Sequence, residues 1–439
     1  MKMRTIVTLT VLVTAAASMT ASRNLDASAQ TGAAYAIRNA RVVTVTGQVI
    51  ERGTVLISGG KIAAVGQSVT IPSGAKIIDA AGLSVYPGLI DAGTTLGLSE
   101  IASVAGSMDT SEIGDNNADI HVDVALLPDS THIPVTRVNG VTTVLTEPRG
   151  GVIAGRSSLI NLDGWTPREM VLKPDAAMHI NWPGAAATGP EFGGGGQRRA
   201  NPEARREQER QVDNLKKTLR EARTYADAKD ARAKDPSLPK QAVDLKLEAL
   251  IPVVRGSTPV VILAAAERDI RSAIAFADEM KIKMILSGGI QAYKVADQLK
   301  AKNIPVLVGP VLRMPVNEDD PYDMAFANAG VLSKAGVKIA FQTLDSAHVR
   351  DLPYHAGMAA AFGLPKEEAL KAVTIYPAEI LGVADQVGSI EKGKIANLIV
   401  TDGDPLEVLT HVKYLFINGR QIPLTSKHSE LYEKYKARP

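Results

Sequence analysis

Two carboxylates and one histidine stand where apolar runs of this 439-residue chain end. Glu147 follows the run Val141–Leu145, Asp345 follows a comparable run, and His179 lies near the end of another. If these runs are strands of one parallel sheet, the three side chains gather at the edge where the strands end. Two carboxylates at such an edge can serve as a general acid–base pair when burial raises one pKa. We therefore predict Glu147, Asp345 and His179 as catalytic residues.

Smaller polar residues at other predicted strand ends are candidates for the pocket wall. These pocket candidates are Thr95, Ser287 and Thr343. Each catalytic candidate also has a structural alternative. Glu147 could form an ion pair with Arg149 or Arg156, and Asp345 could be a turn residue. His179 could be an ordinary packed histidine.

The elements that must position these residues alternate along the middle of the chain. Apolar runs typical of buried strands are separated by helical spacing, as in Ile270, Ala273, Ile274 and Ala277 after the run Pro259–Ala264. Strands of this kind with helices between them indicate a parallel sheet covered on its faces. Eight such strands between residues 85 and 375 predict an α/β fold, a (β/α)8 TIM barrel.

Both ends of the chain are β-rich. Gly59-Gly60 and Asn418-Gly419 are hairpin signals between β-rich runs, and Ile395–Val400 reads as a further strand. Segments 30–84 and 376–439 are therefore expected to build one small β-sandwich domain from the two termini. Between them, residues 190–248 form a charged insertion. It carries a narrow apolar stripe of Val212, Leu215, Leu219, Ala222 and Ala226, which favours a helix packed on the barrel over a moving arm.

The first residues have the composition of an export signal. Lys2 and Arg4 precede an apolar stretch, and Ala27-Ser28-Ala29 matches a small-residue cleavage site. We expect a signal peptide over residues 1–29, a secreted or periplasmic location and no membrane span. The chain has no cysteine, which excludes disulfides, and its net charge of +2 gives no reason to expect nucleic acid as a partner.

Several motifs, taken together, resemble one known family. They include Pro87–Asp91, Gly140–Val144, Thr374–Gly382 and Gly388–Leu398. In combination they are similar to the amidohydrolase superfamily of metal-dependent hydrolases, in its imidazolonepropionase-like branch. The resemblance implies a barrel with a small β domain. It also implies hydrolysis of carbon–nitrogen bonds other than peptide bonds, a small-molecule substrate and a possible homodimer.

The resemblance also implies a divalent metal, usually zinc, which lowers the pKa of a bound water. The family holds it with a His-x-His pair after strand one, a His after each of strands five and six, and an Asp after strand eight. In this chain the corresponding positions are Gly93 and Thr95, Leu263, and Ser287 or Gly288, with Asp345 one residue away from the expected Asp. We therefore expect no standard metal site.

Two functions remain open from the sequence. One is a hydrolase of carbon–nitrogen bonds with a changed site. The alternative is a non-catalytic protein that binds a ligand or a protein through the pocket where the family has its active site.

Overall fold

The computed structural model describes residues 33–184, 202–315 and 320–438. The predicted signal peptide and the Gly-rich run 193–196 lie outside the described residues. The strands are β1 (Tyr35–Val42), β2 (Ile50–Ser58), β3 (Lys61–Gly66), β4 (Lys76–Asp79), β5 (Ser84–Pro87), β6 (Leu89–Thr94), β7 (Val141–Thr146), β8 (Ile153–Asn161), β9 (Val171–Asn181), β10 (Val260–Ala264), β11 (Met284–Gly288), β12 (Val306–Val308), β13 (Ile339–Phe341), β14 (Leu398–Thr401), β15 (Val412–Ile417) and β16 (Arg420–Ile422).

The helices lie mainly between the barrel strands. They are α1 (His132–Arg137), α2 (Pro167–Met170), α3 (Pro202–Lys234), α4 (Leu245–Val254), α5 (Glu267–Met280), α6 (Ala296–Ala301), α7 (Met324–Lys334), α8 (Leu352–Ala361), α9 (Lys366–Lys371), α10 (Ile375–Ile380) and α11 (Lys427–Lys436). Short 3-10 turns cover Ala105–Ser107, Val122–Val124, Ala292–Val295 and Val349–Asp351. No helix in the described ranges has the length and apolar character needed to cross a membrane.

Strands β6 to β13 form one eight-stranded sheet in sequence order, which confirms the barrel prediction. The sheet is almost closed, because the Leu344 N–H after β13 donates to the Gly93 carbonyl of β6 over 2.9 Å. Small and branched side chains fill the barrel interior, as barrel strands require. They are Ala92, Ala177, Val261, Ile285, Leu307 and Ala340.

One strand departs from the parallel arrangement that the sequence predicts. β8 runs antiparallel to both β7 and β9, while the other neighbours in this sheet are parallel. The reason lies in the connection: residues 147–152 are too few for the helical crossover that a parallel strand needs. The chain therefore turns back as a hairpin, and the loop 147–152 lies at the edge where β7 and β9 end.

The terminal strands form the second, separate sheet, in the order β16-β15-β14-β5-β1-β2-β3 with β4 beside β1. The two predicted hairpins are confirmed: Gly59 and Gly60 join β2 to β3, and Asn418 and Gly419 join β15 to β16. All four residues have positive φ, between 51° and 78°, as the tight turn needs. Residues from both ends of the chain share a core, including Ile37, Val55, Leu398 and Phe416, as expected for the small β-sandwich domain.

The helical predictions also agree with the structure. Ile270, Ala273, Ile274 and Ala277 are buried on α5. On α3, Leu215, Leu219 and Ala222 belong to the same buried cluster as Phe276 of α5, and Val212 is half-buried against that cluster. The charged insertion thus packs its apolar stripe on the barrel, with a solvated outer face.

This packing predicts the effect of truncating the stripe. Leu219 is 1% exposed, so Leu219→Ala should lower the free energy of unfolding by about 2–5 kcal/mol through the lost apolar contacts and the cavity left behind. Lys217→Ala, on the exposed side of α3, should change it by less than about 0.5 kcal/mol. Urea titration of the two variants would measure the difference, and equal midpoints would show that α3 does not depend on this stripe.

Candidate active site

The structure brings Glu147 and His179 together at the barrel mouth. Glu147 is the first residue of the 147–152 hairpin loop, and its backbone N–H is held by the Thr94 carbonyl of β6 at 2.9 Å. His179 lies near the end of β9, paired with Gly155 near the start of the neighbouring strand β8. The His179 Nδ1 and Glu147 Oε2 atoms are 3.5 Å apart. Both residues are buried, with exposures of 5% and 3%.

Burial sets the protonation of both groups. It raises the pKa of Glu147 from 4.5 to about 7, although the nearby positive charge of Arg149 acts in the opposite direction. Burial lowers the pKa of His179 to about 3, and the charge of Arg149 adds to that effect. The imidazole is therefore neutral near pH 7, and the 3.5 Å contact is not an ion pair.

Each of these two side chains presents a buried atom without a partner. Glu147 Oε2 and His179 Nε2 make no hydrogen bond. Such atoms are uncommon in folded proteins because a lost hydrogen bond costs about 1–3 kcal/mol. Unpaired buried polar atoms at the ends of barrel strands are the arrangement expected where a substrate or a water is to be bound.

Arg149 supplies the positive charge of the cluster. Its Nη2 lies 3.3 Å from Glu147 Oε1 and donates to the Leu344 carbonyl over 2.6 Å. The Arg149 backbone N–H donates to the Thr110 carbonyl at 2.7 Å, and the Asn181 side chain donates to the Arg149 carbonyl. The Arg149 side chain is 26% exposed and that of Glu147 is 4% exposed, so the cation is closer to solvent than the carboxylate.

Gly93 makes room for the polar side chains on the opposite wall. A Cβ at this position would lie 2.6 Å from Gln342 Oε1 and 3.0 Å from Glu147 Oε2. The Gln342 amide in turn pairs with Ser287 Oγ, at 3.0 and 3.1 Å. The space above Gly93 is thus shared by the carboxylate and by an amide that Ser287 orients, and a larger residue at position 93 would displace them.

Asp91 lies one layer deeper and joins β6 to the segment after β13. Its Oδ2 accepts the Thr343 hydroxyl at 2.6 Å, and its Oδ1 accepts the N–H groups of Gly93 and Thr343 at 3.0 and 3.3 Å. Burial raises the pKa of Asp91 to about 7 despite these hydrogen bonds, and the charge of Glu147 raises it further.

Two sequence candidates, Asp345 and Thr95, make turn contacts. The Asp345 carboxylate accepts the N–H groups of Ala347 and His348 in a turn, at 2.6 and 2.9 Å, and its side chain is 39% exposed. Asp345 therefore makes the turn contacts of its structural alternative, and no hydrogen bond or ion pair joins it to Glu147 or His179. Thr95 is buried and its carbonyl accepts the N–H of Leu98, a turn contact beside the site.

The structure adds Arg149, Asp91 and Gln342 to the residues around Glu147 and His179. Arg149 entered only as a possible ion-pair partner of Glu147, a contact that the structure does contain. Asp91 was interpretable from its type: a carboxylate inside an apolar strand must be paired when it is buried. For Gln342 the only available signal was its place at the end of the last barrel strand.

The cluster can take up and release a proton near neutral pH. Glu147 is poised as a general acid or base because its pKa lies close to 7. The neutral His179 can orient a bound molecule by hydrogen bonding, and Arg149 can stabilise negative charge that develops beside Glu147. Among the described residues, no group of three or more His, Cys, Asp or Glu side chains converges as a metal site would require.

Comparison with known proteins gives the family context. Residues 263–422 match the model of the amidohydrolase family. An amidohydrolase of Hapsidospora irregularis, tasK, is 26% identical over 400 residues, covering 84% of this chain and 39% of that protein. The chain thus spans about two fifths of the length of this relative. An adenine deaminase of Listeria monocytogenes is 31% identical over 112 residues, which are 26% of this chain and 14% of that protein.

A solved structure is similar over a longer range. The amidohydrolase from Thermotoga maritima MSB8 is 26% identical, with a TM-score of 0.75, covering 89% of this chain and 99% of that one. Residues 263–422 of the chain therefore carry the amidohydrolase family pattern, on a barrel fold that structures of this superfamily share.

Proposed function

We propose that this protein is an amidohydrolase-like hydrolase of carbon–nitrogen bonds other than peptide bonds, with Glu147 as its general acid–base. The observation that carries the proposal is the buried Glu147–His179 contact at the strand ends, in which Glu147 Oε2 and His179 Nε2 make no hydrogen bond. The names of the relatives, amidohydrolase and adenine deaminase, agree with this reaction class. We also propose that the protein belongs to the imidazolonepropionase-like branch, which its motifs Pro87–Asp91 and Thr374–Gly382 resemble.

The reaction follows from the protonation of the cluster. With Glu147 ionised, its carboxylate takes a proton from a water molecule as the water oxygen adds to the carbon of the scissile bond. Negative charge then develops on the substrate heteroatom, where Arg149 can stabilise it. The Glu147 carboxyl next gives its proton to the leaving nitrogen, and the carbon–nitrogen bond breaks. His179, with a pKa of about 3, stays neutral and orients the reactants without protonating them.

The family resemblance implies a metal ion, so the fit of the donors must be considered. Within the Glu147–His179 pair, the buried atoms that make no hydrogen bond are Glu147 Oε2 and His179 Nε2, whereas catalytic zinc usually has three protein ligands. Strand-end positions that would supply further ligands carry Gly93, Leu263 and Ser287. The described residues do not fit a standard zinc site, and the reaction above contains no step through a metal.

Metal analysis combined with a substrate screen tests the proposal. The protein should be purified without chelators or a histidine tag, analysed for zinc, manganese and iron, and screened against amides, cyclic amides and amidines. We expect hydrolysis of at least one substrate and no stoichiometric metal. Stoichiometric metal would overturn the metal-free reaction. Absence of hydrolysis together with tight binding of a screened compound would favour the non-catalytic alternative.

The location is a separate part of the proposal. We propose that the protein is exported, because residues 1–29 have the composition of a signal peptide. Mass spectrometry of the N-terminal peptide of the natively expressed protein should find Gln30, free or cyclised to pyroglutamate, as the first residue, and an intact Met1 in a soluble extract would contradict export.

A further inference from the structure

The hydrogen bonds around Asp91 connect this residue to the proposed acid–base group by a defined route. Asp91 accepts the Thr343 hydroxyl and N–H, and the neighbouring Leu344 N–H donates to the Gly93 carbonyl. These three bonds attach residues 343 and 344 to β6. They cross the seam where β13 and β6 are not paired as a ladder.

The same short segment holds Arg149. Leu344 has φ of +57°, a left-handed conformation that is unfavourable for a non-glycine residue and persists only where neighbouring contacts impose it. In this conformation the Leu344 carbonyl accepts the Arg149 Nη2 over 2.6 Å, and Arg149 lies 3.3 Å from Glu147. Asp91 does not contact Arg149 through any of these hydrogen bonds, so its influence passes through Thr343 and Leu344.

We propose that Asp91 is a positioning residue that, through Thr343 and Leu344, fixes the Arg149 guanidinium beside the Glu147 carboxyl. Without Asp91 the segment 343–344 loses two of its three bonds to β6, and Leu344 is free to leave the left-handed region. The Leu344 carbonyl then turns away, and Arg149 loses the acceptor that holds it at the mouth. The role of Glu147 rests on the proposed function, but the position of Arg149 does not.

Asp91→Asn and Asp91→Ala separate position from charge. The Asn side chain removes the charge but can still accept from Gly93 and Thr343 N–H and donate to the Thr343 hydroxyl. The Ala side chain removes the charge and the three hydrogen bonds that Asp91 accepts, from Gly93 N–H, Thr343 N–H and the Thr343 hydroxyl. Because an adjacent positive charge lowers the pKa of a carboxyl, misplacing Arg149 should raise the pKa of Glu147 in the Ala variant only.

The measurement is a carbon-13 NMR titration of protein labelled at the glutamate side-chain carboxyls, with the Glu147 signal assigned by its loss in Glu147→Gln. We expect the midpoint of Glu147 to be about one pH unit higher in Asp91→Ala than in Asp91→Asn. In the Arg149→Met background the two Asp91 variants should have the same midpoint. Equal midpoints with Arg149 present would overturn the proposal.

A second pair keeps the test decisive if Asp91→Ala does not fold. Thr343→Val removes only the hydroxyl that bonds Asp91, whereas Thr343→Ser retains it. The Glu147 midpoint should be higher in Thr343→Val than in Thr343→Ser, and coincident midpoints would again contradict the route. No substrate is needed for either titration, so this inference can fail or hold whatever the hydrolase screen finds.

Discussion

Glu147→Gln is expected to lower kcat/KM for the hydrolysis found in the screen by about 10²–10⁴-fold, the usual contribution of a positioned acid–base group. Glutamine has nearly the same shape as glutamate and can still pack beside His179 and Arg149, but it cannot take a proton from water. Steady-state kinetics at pH 7 would measure the loss, with circular dichroism to verify the fold.

The matched control for this variant is Glu221→Gln on the outer face of α3. Glu221 is about half exposed and its nearest cation, Lys217, is 3.9 Å away, so kcat/KM should be unchanged. Activity of Glu147→Gln within twofold of the unmodified protein would remove Glu147 from the reaction. Similar losses in both variants would indicate a general effect on the preparation.

The stability of the protein should also depend on pH through Glu147. Folding raises the pKa of this carboxyl from 4.5 to about 7, so the folded state binds its proton more tightly than the unfolded state does. The resulting stabilisation is fully present below pH 4.5 and is lost as the pH rises through 7. A shift of this size corresponds to roughly 3 kcal/mol. Glu147→Gln, which cannot ionise, should not suffer this loss.

Urea unfolding at pH 5 and pH 8 would measure this effect as a difference between proteins. Between the two pH values, Glu147→Gln should gain on the order of 2–3 kcal/mol relative to the unmodified chain. The comparison removes the contribution of His179, whose lowered pKa acts in the opposite direction and stabilises the fold above pH 6.5. If the free energy of unfolding of Glu147→Gln and of the unmodified protein changed equally with pH, the Glu147 carboxyl would not be held in an apolar environment. The control Glu221→Gln should show the same pH dependence as the unmodified protein.

The hairpin that carries Glu147 and Arg149 connects the topology to the chemistry. In a uniformly parallel barrel these residues would begin a long βα connection. Here β8 is antiparallel, so these residues belong to the six-residue loop 147–152. Hydrogen bonds to Thr94, Thr110 and Asn181 hold the backbone of this loop. A short loop with backbone bonds on both sides holds side chains more rigidly than a long connection. We attribute the burial of Glu147 to this arrangement.

Local features of this protein were determined by the sequence alone. The turns at Gly59-Gly60 and Asn418-Gly419 were predictable because few residues tolerate positive φ. The buried faces of α3 and α5 were predictable because helical periodicity is a property of the segment itself. The barrel and the terminal sheet followed from the order of such segments, and Glu147 and His179 were candidates because of their place at strand ends.

The tertiary structure alone decided which candidates meet. The contact of Glu147 with His179 and the bonds from Asp91 to Thr343 depend on residues distant in the chain. Asp91 and Thr343, for example, are 252 positions apart. Such pairings arise from packing against the whole barrel, and no local propensity encodes them. The raised pKa of Glu147 is likewise a property of burial, which exists only once the chain has folded.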